Sequence, residues 1–292
     1  MARLSVDDIQ DHAWEFPKAD NPFELSHGYG SNVHILNDPL LLAMIARIGH
    51  PQTDQSSALR ALGYFYQAAM HHVVRNEVGT NDSDIETRME TYDPDHARYT
   101  GPMPSDEHGL VLVSILRGGA PATEKAKEYL AFVTGRPIRT DYIMANRTTD
   151  EGHHVTGCAV SGAKLAENPS VDSKILVVTD PMGATGGTIL GARDLYTGKL
   201  GLMNANFPLP ERLGTYDRMV AVHLIVAPEY LVRMEKEFPD LRIYAGRVDR
   251  GLSHPDALKA PPGTMRSLER GLNDRQYILP GAGDLGAVFS GE

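Results

Sequence analysis

Residues 174–190, KILVVTDPMGATGGTIL, set an acid and a turn with two threonine hydroxyls and three glycines behind one apolar run. The run, Ile175 to Val178, has the length and β-branched content of a buried strand. Asp180 closes it. The small-residue turn Gly183-Ala184-Thr185-Gly186-Gly187-Thr188 follows, and Ile189, Leu190 and Leu195 then suggest a helix. Such a turn lets the backbone approach a ligand, and the N–H groups at the helix start point at an anion. A hydroxyl from Thr185 or Thr188 adds a hydrogen bond. Asp180 is placed for a ribose hydroxyl or a metal-bound water. A P-loop would need Lys after the last glycine, where Thr188-Ile189 stands, and a dinucleotide fingerprint would need another glycine spacing. The chemistry implied is capture of a phosphate and a ribose at a strand end.

Cations for such a ligand stand at two other strand ends. Arg117 follows the apolar run Leu110 to Leu116 and precedes Gly118-Gly119. An arginine there can pair bidentately with phosphate oxygens. Arg147 stands just beyond a second candidate strand, Ile138 to Met144. Near the C-terminus, Tyr277-Ile278-Leu279-Pro280 runs into Gly281-Ala282-Gly283-Asp284-Leu285-Gly286. Gly281 to Gly286 satisfies GxGxxG literally, but Pro280 precedes it and too little chain follows for a βαβ unit. An extended run beside glycines instead offers backbone N–H and C=O groups to a flat ligand edge. His71 and His72 are adjacent on a candidate helix and point apart, which argues against a shared metal.

The elements that must position these groups alternate. Asp38-Pro39 is a helix start, with Asp as cap and Pro first, and a longer helix is predicted from Thr53 to about Val78. Residues 80–108 read as a loop or small β excursion. A helix starts at Pro121, His153 to Val160 reads as part of a flexible hairpin, and Phe207 to Tyr216 as a linker. Val220 to Val226 and Leu241 to Val248 are strands flanking a helix from Pro228 to about Phe238. Strands alternating with helices over 110–250 predict an α/β fold with a parallel sheet. Right-handed crossovers then put the strand ends, with Arg117, Arg147 and Asp180, on one rim. Residues 1–36 read as an N-terminal arm, either packed on a partner or partly ordered. Residues 37–292 read as a single domain.

The 292 residues carry a formal net charge of −10, which argues against nucleic acid or an anionic membrane as partner. One cysteine, Cys158, leaves no internal disulfide and fits a reducing compartment. The first residues are acidic and mixed, without a secretory h-region, and the apolar runs are too short to span a bilayer. A cytoplasmic location is expected.

Asp180-Pro181-Met182 with Ala184-Thr185-Gly186-Gly187 resembles the phosphoribosyl-diphosphate (PRPP) loop of type I phosphoribosyltransferases, in its uracil phosphoribosyltransferase version. Ile115, Leu116, Arg117 and Gly119 match that family's Pro-Ile-Leu-Arg-Ala-Gly, with Ser114 and Gly118 as departures. Asn146-Arg147-Thr148 resembles the arginine of its flexible hood. Tyr277, Ile278, Pro280, Gly281, Gly283, Asp284 and Gly286 match its uracil signature, where Gln276 replaces a glycine and Ala287 an aspartate. The residues SHPDALKAPPGTMRSLER, about 253–270, form a loop not expected in the family, beside the base-binding segment: a lid, a subunit contact or a change of specificity.

The resemblance implies a type I phosphoribosyltransferase-like parallel sheet flanked by helices, with a hood and a C-terminal base-binding segment. It implies transfer of the 5-phosphoribosyl group from PRPP to uracil, giving UMP and diphosphate. Asp180 and Arg117 would be catalytic. Arg117, Arg147, Asp180, Met182, Ala184, Thr185, Gly186, Gly187, Thr188 and Asp284 would bind PRPP. Tyr277, Ile278 and Gly283 would bind the base through Ile278 and Gly283 backbone atoms. Mg²⁺ would be held mainly by PRPP and water, near Asp284, with no direct protein ligand. A homo-oligomer is implied. Two alternatives stay open: a phosphoribosyltransferase for another pyrimidine-like base, or a non-catalytic PRPP- or nucleotide-binding regulator.

Overall fold

Runs such as Ile175 to Thr179 and Met219 to Val226 are buried at every position, so they must lie inside a sheet covered on both faces. The computed structural model, which describes residues 10–116, 118–149, 155–199 and 213–290, has that arrangement. In chain order the elements begin with β1 (Val33–Ile35), α1 (Pro39–Ile48), and α2 (Gln55–Val73, prolonged by a π turn, Val74–Val78). Then come β2 (Thr80–Glu86), β3 (Arg98–Pro104), β4 (Gly109–Leu116), α3 (Gly119–Thr134), β5 (Arg139–Thr149) and β6 (Val155–Lys164). The second half holds β7 (Lys174–Thr179), β8 (Met182–Gly183), α4 (Gly187–Tyr196), β9 (Arg218–Val226), α5 (Pro228–Glu237) and β10 (Arg242–Val248). The short helices α6 (Pro255–Leu258) and α7 (Leu285–Ser290) complete it.

The main sheet runs β1-β10-β9-β7-β4-β5-β6, with β8 paired to the end of β9. Its pairs are parallel except β5–β6, an antiparallel pair that lies where the resemblance puts the hood. Alternation along the strands splits the core. Leu112, Val177 and Val222 pack with Leu41, Phe65 and Ala126 of α1, α2 and α3. Val113, Val178 and Ala221 pack with Ile189, Leu195 and Met234 of α4 and α5. The fold is the expected parallel sheet flanked by helices. The parallel strands bring the C-terminal ends of β4, β5 and β7 to one rim.

Local signals work as their chemistry requires. Asp38 caps α1 by accepting from the Leu40 N–H at 2.8 Å. Residues 80–108 are the antiparallel β2–β3 ribbon, whose side chains are mostly exposed. The helix read from Pro121 starts at Gly119, two residues earlier. Residues 207–212 of the linker, and His153 and His154 of the hairpin, lie outside the described residues. No helix among the described residues is long and apolar enough to cross a membrane.

The N-terminal arm differs most from its sequence reading. Val33–Ile35 joins the sheet as an edge strand beside β10, and Leu25, Tyr29 and Val33 are buried in this chain's own core. The loop at 253–270 packs on the arm. Arg250, fully buried, donates to Glu269 at 3.0 Å and to Asp11 at 2.6 Å. It also donates to the carbonyls of Ala257 and Ala260 at 2.9 and 3.2 Å. Glu269 accepts from the Gly263 N–H at 2.7 Å and from the Tyr29 hydroxyl. The arm and the 250–269 segment thus share one buried ionic centre, which sequence alone cannot display.

Candidate active site

β7 delivers Asp180 to the rim. Its N–H donates to the Val222 carbonyl at 3.3 Å, and its carboxylate accepts from the Met182 N–H at 3.3 Å. The chain then turns along the end of β9, where the Leu224 N–H donates to the Pro181 carbonyl at 3.0 Å. Ala184 and Met182 pack on the core. Gly186 takes φ +81° as the residue before α4, a conformation that costs a side-chain-bearing residue about 1–2 kcal/mol. The turn therefore ends with Gly187 and Thr188 opening a helix ten residues long, whose first N–H groups are a natural anion site.

Two other segments meet this one. α3 starts so close to β7 that a Cβ on Gly119 would collide with the Thr179 carbonyl. A Cβ on Gly118 would come 3.9 Å from the Gly286 nitrogen, at the start of α7. The turn after β4, the end of β7 and the start of the C-terminal helix are thus neighbours. Arg117 itself lies outside the described residues, although Leu116 and Gly118 flank it. Arg147 is paired with Cys158 across the β5–β6 ladder, and its side chain lies outside the described residues. Cys158 Sγ stands 3.6 Å from the Thr188 hydroxyl, so β6 meets the glycine turn at that point.

The C-terminal segment is a small hairpin in which Leu272 faces Ile278. The Asn273 N–H donates to the Tyr277 carbonyl at 3.0 Å, and the Leu279 N–H to the Gly271 carbonyl at 2.8 Å. These bonds fall on either side of Ile278, whose side chain is buried in the core. The Leu279–Pro280 peptide is cis. Gly281 donates to Asp249 at 2.7 Å, and Arg247 donates to the other side of that carboxylate. Tyr277 is half-exposed, and Gly283 is exposed with φ +75°. Asp284 is exposed and accepts from the Ala287 N–H at 3.2 Å, capping α7. Gln276, which stands where the family has glycine, has φ +63°.

Sequence reading passed over what braces these segments. His223, fully buried on β9, donates through Nδ1 to the Asp180 carbonyl at 2.6 Å. A carbonyl only accepts, so Nδ1 carries the proton, and Nε2 accepts from the Tyr230 hydroxyl at 2.8 Å. Burial pulls the His223 pKa down to about 4, opposed by that carbonyl bond. Also on α5, Glu229 accepts from the Gly271 and Leu272 N–H groups at 3.0 and 3.1 Å, and so braces the C-terminal hairpin. Arg233 donates to the Thr185 carbonyl at 2.8 Å. A histidine inside the apolar run Val220 to Val226 was the one available signal for this brace.

Among the described residues no group of three or more His, Cys, Asp or Glu is arranged to hold a metal ion. The acidic side chains at this rim, Asp180 and Asp284, offer oxygen only, which suits a hard cation that keeps most of its water and diphosphate ligands.

The family model for uracil phosphoribosyltransferase matches residues 35–265. The uracil phosphoribosyltransferase of Acidovorax sp. (strain JS42) is 28% identical over 256 residues, 88% of this chain and 96% of the relative. That of Aquifex aeolicus (strain VF5) is 32% identical over 182 residues, 62% of this chain and 64% of the relative. A solved Aquifex aeolicus protein shares the fold with a TM-score of 0.62 at 22% identity, over 88% of this chain and 97% of the other. The model match stops short of the 277–286 segment, whose likeness rests on its own residues. With the fold, the rim and a match across most of its length, the chain belongs to the uracil phosphoribosyltransferase family, and so to the phosphoribosyltransferase enzymes.

Proposed function

We propose that the protein transfers the 5-phosphoribosyl group of PRPP to N1 of uracil, giving UMP and diphosphate. The observation that carries this reading is the convergence of three segments: Asp180 with the Thr185–Thr188 turn, Gly118-Gly119 after β4, and the hairpin leading to Asp284 and α7.

In this reading the N–H groups from Gly186 to Thr188 and the hydroxyls of Thr185 and Thr188 hold the 5-phosphate. Each charge-assisted bond is worth roughly 1.5–3 kcal/mol. Asp180 holds the ribose hydroxyls. Arg117 and Arg147 would pair with the leaving diphosphate, and Asp284 would lie near a Mg²⁺ brought in with PRPP, which would supply further charge neutralisation there. Cleavage at C1 of the ribose develops an oxocarbenium-like transition state, so positioning and electrostatics are what the protein supplies. Backbone groups of Ile278 and Gly283 read the carbonyl and N–H edge of uracil. Cytosine would leave buried donors and acceptors mismatched, giving discrimination on the order of 10⁴. A homo-oligomer and a cytoplasmic setting belong to the same reading.

A panel of bases incubated with PRPP and Mg²⁺ tests it. UMP formation with uracil well ahead of other bases is expected. Turnover of a different base would keep the chemistry and replace the acceptor. PRPP binding without turnover on any base would point to a regulator.

A further inference from the structure

We infer that Arg233 is a positioning residue for the phosphate-binding turn. This rests on the reading of Thr185–Thr188 as the 5-phosphate site. Arg233 lies on α5 and takes no part in the reaction proposed above. Its guanidinium is held by Glu237 one turn along, through Nε at 2.9 Å and Nη2 at 3.3 Å. With two of its corners fixed, Nη1 is aimed at the Thr185 carbonyl, 2.8 Å away. Met234, the next residue, lies against Gly186, and the Tyr230 ring lies 3.3 Å from where a Cβ on Gly186 would stand.

That carbonyl belongs to the Thr185–Gly186 peptide. In a trans peptide the C=O and N–H point in opposite directions. Arg233 draws the carbonyl toward α5, so the Gly186 N–H faces away from α5. The φ of +81° at Gly186 then carries the chain into α4, with the Gly187 and Thr188 N–H groups following. Without Arg233, the peptide is free to rotate about the glycine, which tolerates either orientation. The anion site would then lose the fixed direction of its first donor. Arg233 acts through the Thr185 carbonyl of the phosphate turn, so its effect is expected in PRPP affinity rather than in chemistry or base recognition.

The test compares wild type with Arg233→Met, Arg233→Lys and Glu237→Gln. Ribose 5-phosphate and PRPP affinities are measured by calorimetry, and KM for each substrate, kcat and thermal stability are measured beside them. Arg233→Met is expected to weaken both phosphate ligands about tenfold, the loss that accompanies one ordering hydrogen bond, with KM for the base and kcat within about twofold. Glu237→Gln, which keeps the arginine but loosens its fork, is expected to weaken them about threefold, with Arg233→Lys between the two. Unchanged phosphate affinity in a folded Arg233→Met or Glu237→Gln protein would overturn the inference. So would an equal loss in kcat and in base KM, which is the pattern of general destabilisation. If wild type itself binds neither ribose 5-phosphate nor PRPP, the phosphate-site reading falls, and this inference with it, an outcome visible in the control alone.

Discussion

The imidazole of His223 is bonded to the Asp180 carbonyl at 2.6 Å, so the backbone at the end of β7 is fixed from beneath. The same ring, neutral with its proton on Nδ1, accepts from the Tyr230 hydroxyl of α5 at 2.8 Å.

Stability should therefore respond to pH through His223. Its pKa is about 4 in the folded protein against 6.5 in the open chain, because burial disfavours the cation. Between these values the unfolded chain binds a proton that the folded protein refuses, so stability is intact above pH 6.5 and falls as pH drops toward 4. Over the full window the loss is roughly 3 kcal/mol. His27 also has a folded pKa of about 4, so the wild-type profile alone is not diagnostic. Urea unfolding of wild type and His223→Asn at pH 7 and pH 5 isolates the term. The variant should start less stable and lose less on acidification; parallel losses would contradict the role given to His223.

Asp180→Asn keeps the bond from the Met182 N–H and removes the charge. On the proposed reading UMP formation should drop at least about a hundredfold, with the fold unchanged, as for loss of one charged contact to the reacting sugar. Near-wild-type turnover would remove Asp180 from the mechanism.

Gly186→Ala puts a methyl group at φ +81° and against Met234. Strain and overpacking together should cost about 2 kcal/mol of stability and displace the first donor of the anion site. Denaturant unfolding and PRPP binding read the two effects separately, and an alanine tolerated in both would mean that the turn has another resting conformation.

Gln276 already occupies the left-handed region at φ +63°. Gln276→Gly should stabilise the protein by about 0.5–1 kcal/mol, the left-handed strain relieved less the greater entropy of unfolded glycine. A shift in the urea midpoint checks this, and a destabilised variant would mean that the glutamine side chain supports the hairpin.

Glu269→Ala would leave Arg250 buried with only the partly exposed Asp11 as its carboxylate partner. A loss of about 3 kcal/mol is expected, with arm residues 11–29 becoming open to proteolysis. Protection of the arm in that variant would show that the insertion is not what holds it.

What sequence revealed and what it hid divide by reach. Asp180, Thr185 and Gly186 are legible because their chemistry lies in one continuous stretch, as do the strand runs that carry it to the rim. The brace is not, because it joins residues far apart in the chain: His223 meets Asp180 across 43 positions and Arg233 meets Thr185 across 48. The arm is the extreme case, with Asp11 and Arg250 separated by 239 positions. β1 was missed for another reason. Three residues at a sheet edge leave too short a pattern to tell a strand from extended chain.

The most direct measurement is the product analysis of one reaction: the full chain with PRPP, Mg²⁺ and uracil. UMP and diphosphate should accumulate in equal amounts as PRPP and uracil disappear. PRPP that binds but remains intact with uracil present would contradict the proposed reaction.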